Sequence, residues 1–206
     1  MNRSASQWNQ ILISLGVKPI TAAIWSTIFA AVMVDGALSK GDEELDDFLG
    51  QVLHESGRLE HLEEGLYYST PERIQAVWPS RFPTVDDARP YARNPEALAN
   101  KVYGGRMGNV NPGDGWRYRG SGLIQCTGSD NLRALQAATG IPVHDHPEIL
   151  RKPSEENLRV CLAWWEKHIP DGIVGDVLAE TKRVNGGTIG LADREHLTEE
   201  ARAALG

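Results

Sequence analysis

Along much of this chain apolar residues recur at spacings of three and four, and most such stretches end at a glycine or a proline. Trp8, Ile11, Leu12 and Leu15 predict a short amphipathic helix over residues 4–15, ended near Gly16. Pro19 stands where a first helical turn tolerates it, and a second helix is predicted from Pro19 to Val34. After the Asp35-Gly36 turn, Leu45, Phe48, Leu49, Val52 and Ser56 mark a helix of about 14 residues, with Asp46, Asp47, Gly50 and Gln51 largely between them. Gly57 is its predicted stop. A short helix follows the cap-like Ser69-Thr70-Pro71 and stops at Pro79, residues 83–93 read as polar turns, and Pro95 to Tyr103 reads as another short helix. Gly104 to Gly115 holds five glycines and is predicted to be a loop of the kind that lines clefts. Arg117 to Gly128 reads as an extended run. Its alternation would set Leu123, Gln125 and Thr127 on one face and Ile124 and Cys126 on the other. Helices are then predicted over 131–138, 154–168, 176–184 and 197–205, the third ending in the Gly186-Gly187 turn. The balance is mainly helical, with little or no β-structure.

Composition narrows the class. A chain of 206 residues buries a sizeable core and is expected to form one domain over 1–206, divided into lobes by a cleft. A net charge of −7 removes the electrostatic footprint of a nucleic-acid binder. Cys126 and Cys161 are too few for a disulfide scaffold and read as small buried hydrophobes. The uncharged stretch of residues 19–34 falls short of the roughly 20 apolar residues that span a bilayer, so a buried helix is expected there and no stable membrane insertion.

The candidate chemistry sits between Leu53 and Ser69, where Glu55, Glu60, Glu63 and Glu64 share a helix-to-loop transition with two histidines and two tyrosines. Cleavage of a glycosidic bond needs two separated carboxylates, one to protonate the leaving oxygen and one to activate water or attack the sugar. At about 100° per residue Glu55 lies roughly 20° from Phe48 and points along the apolar stripe, where burial favours a neutral, proton-donating carboxyl. The alternative is a structural ion pair with Arg58 or Arg119. Glu64 would face about 180° away on a continuous helix, so sharing a site with Glu55 requires the chain to fold back, which Gly57 and Gly65 permit. Glu60, Glu63 and Glu64 also fit a solvated acidic surface. No metal or other cofactor is expected: His144-Asp145-His146 lacks a matching third ligand, and Arg58 stands where a zinc-protease helix starting at His54-Glu55 needs its second histidine.

Three segments together resemble glycoside hydrolase family 19, the chitinases and their bacteriophage endolysin relatives. They are His54-Glu55-Ser56-Gly57 with Glu64-Gly65-Leu66-Tyr67-Tyr68-Ser69, then Arg119 to Gly128 with Asn131, and then Val184-Asn185-Gly186-Gly187 with Asp193-Arg194. The resemblance implies a lysozyme-like, two-lobed helical fold with a central cleft and an inverting mechanism. It implies Glu55 as general acid, Glu64 as general base and Thr127 as the hydroxyl that helps hold the attacking water. Gln125, Asn131, Asn185 and Tyr68 become candidate sugar contacts, and Arg194 a supporting arginine near the carboxylates. Spacing leaves Glu63 open as an alternative base. Ser121, Cys126 and Gly65 depart from the family's usual residues.

Between amino-sugar polymers, the low cysteine content and the Glu-Gly-Leu-Tyr-Tyr-Ser segment look more like the phage endolysins. The expected substrate is therefore the glycan strand of peptidoglycan, cut by a monomer made in the host bacterial cytoplasm. It would be released to the periplasm and wall with help from a holin, and carry no separate wall-binding module. A chitinase, a silent wall-glycan-binding protein and an antagonism toxin are the competing expectations.

Overall fold

In the computed structural model, which describes residues 2–206, the helices run in chain order as α1 (Ala5–Ser14), α2 (Pro19–Val32), α3 (Asp42–Glu55), α4 (Pro71–Val77), α5 (Val85–Ala88), α6 (Pro95–Tyr103), α7 (Asp114–Arg117), α8 (Ser129–Thr139), α9 (Glu155–His168), α10 (Val177–Asn185) and α11 (Leu191–Leu205). β-Structure among these residues is confined to the isolated bridges Glu63–Ser121 and Ser121–Cys126.

The chain's own caps set most of the boundaries. Ser4 and Gln7 form a reciprocal capping box at the start of α1, Pro19 occupies the first turn of α2, and the side chains of Thr70, Asn94, Ser154 and Asp176 cap later helices. The helix α5, inside the stretch expected to be turns, is one turn held by a Thr84–Asp87 capping box. It is too short to show a period.

The larger part of the core packs α1, α2, α3, α9 and α11 together. The rings of Trp8 and Phe29 lie 4.9 Å apart between α1 and α2, and those of Phe48 and Trp165 lie 5.4 Å apart between α3 and α9. A smaller cluster gathers Leu66, Ile74, Phe82, Ala88, Leu98, Ala99 and Val102 from α4 to α6. Helix α2 buries Trp25, Phe29 and Val32 but leaves Ile20 79% exposed, and no helix among the described residues is long and apolar enough to cross a membrane.

Helix α3 differs from the amphipathic expectation. Its apolar stripe is buried as predicted, but Asp46, Asp47 and Gln51 are buried as well, because α10 and α11 cover the face that was read as polar, and Glu44 is buried against α9. Gly50 allows this approach, since a β-carbon there would fall on the Thr198 hydroxyl and press on the backbone carbonyl of Arg194. Burial of polar groups is tolerable only when they are paired. Trp165 Nε1 donates to Glu44 at 2.6 Å, Arg202 Nε to Asp46 at 2.7 Å, and the Gly175 amide to Asp47 at 2.8 Å.

Two further stretches depart from their predicted forms. Ser121 and Cys126 exchange backbone hydrogen bonds of 3.1 and 2.8 Å around a turn at 122–125, so the extended run is a tight hairpin-like turn. Leu123, Ile124 and Cys126 are all buried, and Gln125 (φ 50°) and Thr127 are left partly exposed. Both cysteines are free, and burial pushes the Cys126 thiol up to about 12. The last helix begins at Leu191, after a left-handed Gly190, six residues before the predicted start at Leu197. Arg194 therefore stands in a first helical turn, facing α3.

Candidate active site

The last residue of α3 is Glu55, with Ser56 as C-cap and Gly57 in the left-handed region beyond it. Its carboxylate pairs with Arg194, and neither Arg58 nor Arg119, the partners first considered, takes that place. Arg194 is almost wholly enclosed, and all three of its side-chain nitrogens donate: Nη2 to Glu55, Nη1 to Gln51 Oε1 at 2.6 Å, and Nε to the Ile189 carbonyl at 3.4 Å. Asn185 donates to the same Ile189 carbonyl at 2.8 Å and accepts from the Gly187 amide at 2.7 Å. The Asn185 side chain is thus committed to the 185–190 turn that orients Arg194. His54, one residue before Glu55, meets Asp193 at 2.6 Å. Burial works against ionisation of Asp193, but the hydrogen bond from His54 and the charge of Arg58 hold its carboxyl below the usual range.

After α3 the chain turns back sharply. Gly57, Arg58 and Leu59 are consecutive left-handed residues, an arrangement that costs roughly 1–2 kcal/mol for each residue bearing a β-carbon. The turn is held by Arg58 N to Leu53 O at 2.7 Å, Leu59 N to Ser56 Oγ at 2.9 Å and His61 N to Ser56 O at 2.8 Å. With Leu59 buried, the following acidic residues are aimed in fixed directions rather than spread over a solvated loop.

The four glutamates then separate by partner. Glu60 binds Lys18 at 2.7 Å as well as the Thr21 hydroxyl. Glu63 is gripped by Arg119, whose guanidinium is buried, also donates to the Trp116 carbonyl at 2.6 Å and lies 3.5 Å from the Trp116 ring centroid. Glu55 has Arg194. Glu64 alone of the four has no cationic partner among the described residues. Tyr103 donates to its Oε1 at 2.5 Å and the Gly120 amide to its Oε2 at 3.3 Å, while its own backbone amide is fixed to Gly120 O at 2.9 Å. Burial and the Glu64 charge both raise the Tyr103 phenol, which keeps it a donor, and they raise Tyr68 in the same way.

Gly120 separates Glu64 from Gln125: a β-carbon there would press on the side-chain Oε1 of Gln125 and on the Glu64 side chain. Gln125 donates to the carbonyls of His61 at 3.2 Å and Gly122 at 3.1 Å, tying the hairpin turn to the folded-back loop. Thr127 Oγ1 donates to Gln125 O at 3.2 Å, and Asn131 Nδ2 donates to Thr127 O at 2.7 Å. Glu64, Gln125, Thr127 and Asn131 thus form one connected wall with Tyr68 and Tyr103 beside the carboxylate. Glu55, Arg194 and Asn185 belong to the α3–α11 side. Tyr103 and Gln51 did not emerge from the sequence. Tyr103 looks like any residue ending a helix, and Gln51 sits among residues read as polar spacers. The two histidines of the 144–146 stretch are used locally, His144 stacking on Tyr118 and bonding Ser129, and His146 meeting Glu148 at 3.2 Å.

No family model matches the chain. A Haemophilus influenzae protein described as a glycosyl hydrolase family 19 domain-containing protein is 34% identical over 173 residues, covering 83% of this chain and 84% of the relative. Among solved structures, a bacterial family 19 chitinase superposes with a TM-score of 0.58 at 19% identity, over 100% of this chain and 96% of its own. Chitinase C from Streptomyces griseus superposes with a TM-score of 0.54 at 16% identity, over 98% of this chain and 91% of its own. At those identities the likeness is one of fold. The helical fold is therefore the lysozyme-like one of these enzymes, and the 34%-identical relative makes the protein a glycoside hydrolase. The chain belongs to glycosyl hydrolase family 19.

Proposed function

We propose that this protein is an endolysin-type hydrolase that cuts β-1,4 bonds between the amino sugars of peptidoglycan by an inverting acid/base mechanism. The observation that carries the mechanism is the sorting of the glutamates: Glu64 is the carboxylate held by neutral donors only, whereas Glu63 is neutralised by Arg119. Glu55 gives its proton to the glycosidic oxygen as the bond to the anomeric carbon breaks. Water attacks that carbon from the opposite face and loses a proton to Glu64. Thr127, joined to Gln125 and Asn131, borders the path of that water. The Glu55 carboxylate left behind is stabilised by Arg194, whose donors are already in place.

The choice of peptidoglycan rests on the Glu64 to Ser69 segment, which looks more like the phage-type enzymes, and on a chain of only two cysteines, both free, unlike the disulfide-bearing chitinases. With it go one catalytic domain acting as a monomer, synthesis in the host cytoplasm, and release to the wall through a holin. Glu55→Gln is expected to abolish clearing of outer-membrane-permeabilised bacteria, and clearing at the wild-type rate would sink the assignment. Glu64→Gln should be as inactive, whereas Glu63→Gln should keep activity within about tenfold. Full activity of Glu64→Gln beside an inactive Glu63→Gln would move the base by one residue.

Chitin is the second substrate to test, because the solved structures of similar fold are chitinases. Product analysis on peptidoglycan and on chito-oligosaccharides decides between the two polymers. Mass spectrometry of released muropeptides then identifies which sugar carries the new reducing end.

A further inference from the structure

Arg194 is a buried cation with a single carboxylate partner. Its Nη1 is satisfied by a neutral group, the side-chain oxygen of Gln51 at 2.6 Å. Gln51 is 1% exposed and lies one turn before Glu55 on α3, so acid and glutamine flank the same guanidinium. The other end of the amide is equally committed. Nε2 donates to Thr181 Oγ1 at 3.2 Å and lies 3.5 Å from the Val177 carbonyl, and the Thr181 hydroxyl donates to that carbonyl at 2.6 Å. A flipped amide would aim N–H at N–H on the Arg194 side, so the network permits one orientation. A carboxylate at 51 has no N–H for Thr181 or Val177, and an apolar side chain leaves Nη1 without an acceptor in a dry setting.

The other ionisable groups nearby are spoken for. On α3, Asp47 engages the Gly175 amide, as does Glu180 from α10, while Asp193 from α11 binds His54 and Arg58. The charge of Arg194 is thus directed at Glu55 alone among the described carboxylates.

We propose that Gln51 is a positioning residue for the acid. It holds the Arg194 guanidinium in the plane that meets Glu55 and, being neutral, leaves the full cationic charge to Glu55. The proposal rests on the reading of Glu55 as the acid. A second carboxylate on the same cation would make the proton of Glu55 harder to remove and carry the alkaline limb of the pH–rate profile upward.

The test compares Gln51→Glu, Gln51→Met, Thr181→Val and Glu55→Gln with wild type. Each is assayed on purified sacculi and on N-acetylchitotetraose in parallel, for kcat, KM, pH profile and melting temperature. Gln51→Glu should move the alkaline limb up by about one pH unit, while Gln51→Met should leave the limb in place and lower kcat about tenfold with KM within about twofold. Thr181→Val, which frees the amide end, should lower kcat about threefold. A Gln51→Glu profile that overlays wild type overturns the proposal, as does a kcat loss in Gln51→Met that only follows its melting temperature. If Gln51→Met fails to fold, the isosteric Gln51→Glu carries the decision. An active Glu55→Gln overturns the acid assignment itself. An inactive Glu55→Gln beside an unmoved Gln51→Glu limb overturns only the role of Gln51.

Discussion

Tyr103 donates to Glu64 from the end of a helix nearly forty positions further along the chain, so the environment of the proposed base is built by tertiary contact. A hydrogen bond to a charged group contributes about 1.5–3 kcal/mol. Tyr103→Phe should therefore lower kcat by at least about tenfold. Steady-state kinetics check this, and an unchanged kcat would show that the contact is not used in turnover. The same remoteness explains what could be read at this scale. Helical period set Glu55 close to Phe48 but did not reveal that it would meet the Arg194 guanidinium beside Gln51. Glu63 and Glu64, being adjacent, could not be told apart until Arg119, near neither in sequence, was seen to grip one of them.

Helices opened by their own side-chain caps, such as α1 and α9, begin and end close to where their pattern and caps place them. Helix α3 does not fit that scheme, because periodicity shows which positions are apolar but not that α10 and α11 will close over the remainder. One consequence is a carboxyl pair between α3 and α10. Asp47 and Glu180 are enclosed, share the Gly175 amide, and each leaves one oxygen without a donor. Burial raises both; the charge of Asp46 then raises Asp47, and that of Asp47 raises Glu180, so the pair retains a proton that the unfolded chain releases. For an acid with a raised folded-state pKa the associated stability is complete below the ordinary carboxylate range and is lost as pH climbs toward the folded value. The melting temperature should fall from about pH 5 into mildly alkaline buffer, and Glu180→Gln should flatten that slope. Thermal unfolding across that range is the measurement, and an equal slope in both proteins would rule the pair out as its source.

For the molecule as a whole, the sequence carried the helical class and the family resemblance, and the curated relative and the solved structures agree with both. The 121–128 turn was not legible, since its two bridges depend on residues 63, 121 and 126 meeting in space. Net charge sets a further expectation. On the proposed peptidoglycan substrate, a net charge of −7 would meet a polymer rich in carboxylates, and salt screens such repulsion over a Debye length of about 8–10 Å. Activity on sacculi should rise two- to threefold between about 10 and 100 mM sodium chloride through a lower KM, while turnover of uncharged chito-oligosaccharides should not respond. A salt-independent KM on sacculi would remove the electrostatic barrier from the account.

The contact at Gly50 shows how closely the acid depends on a place where no atom is. Helix α11 rests on α3 through the Arg194 carbonyl and the Thr198 hydroxyl, so the clearance at Gly50 fixes how deep the guanidinium sits. One added methyl group would act as a shim between the two helices, lifting Arg194 away from Glu55 while the rest of the core stayed together. On the reading of Glu55 as the acid, its pairing with Arg194 tolerates less than one carbon atom at a position of α3 that bears no side chain.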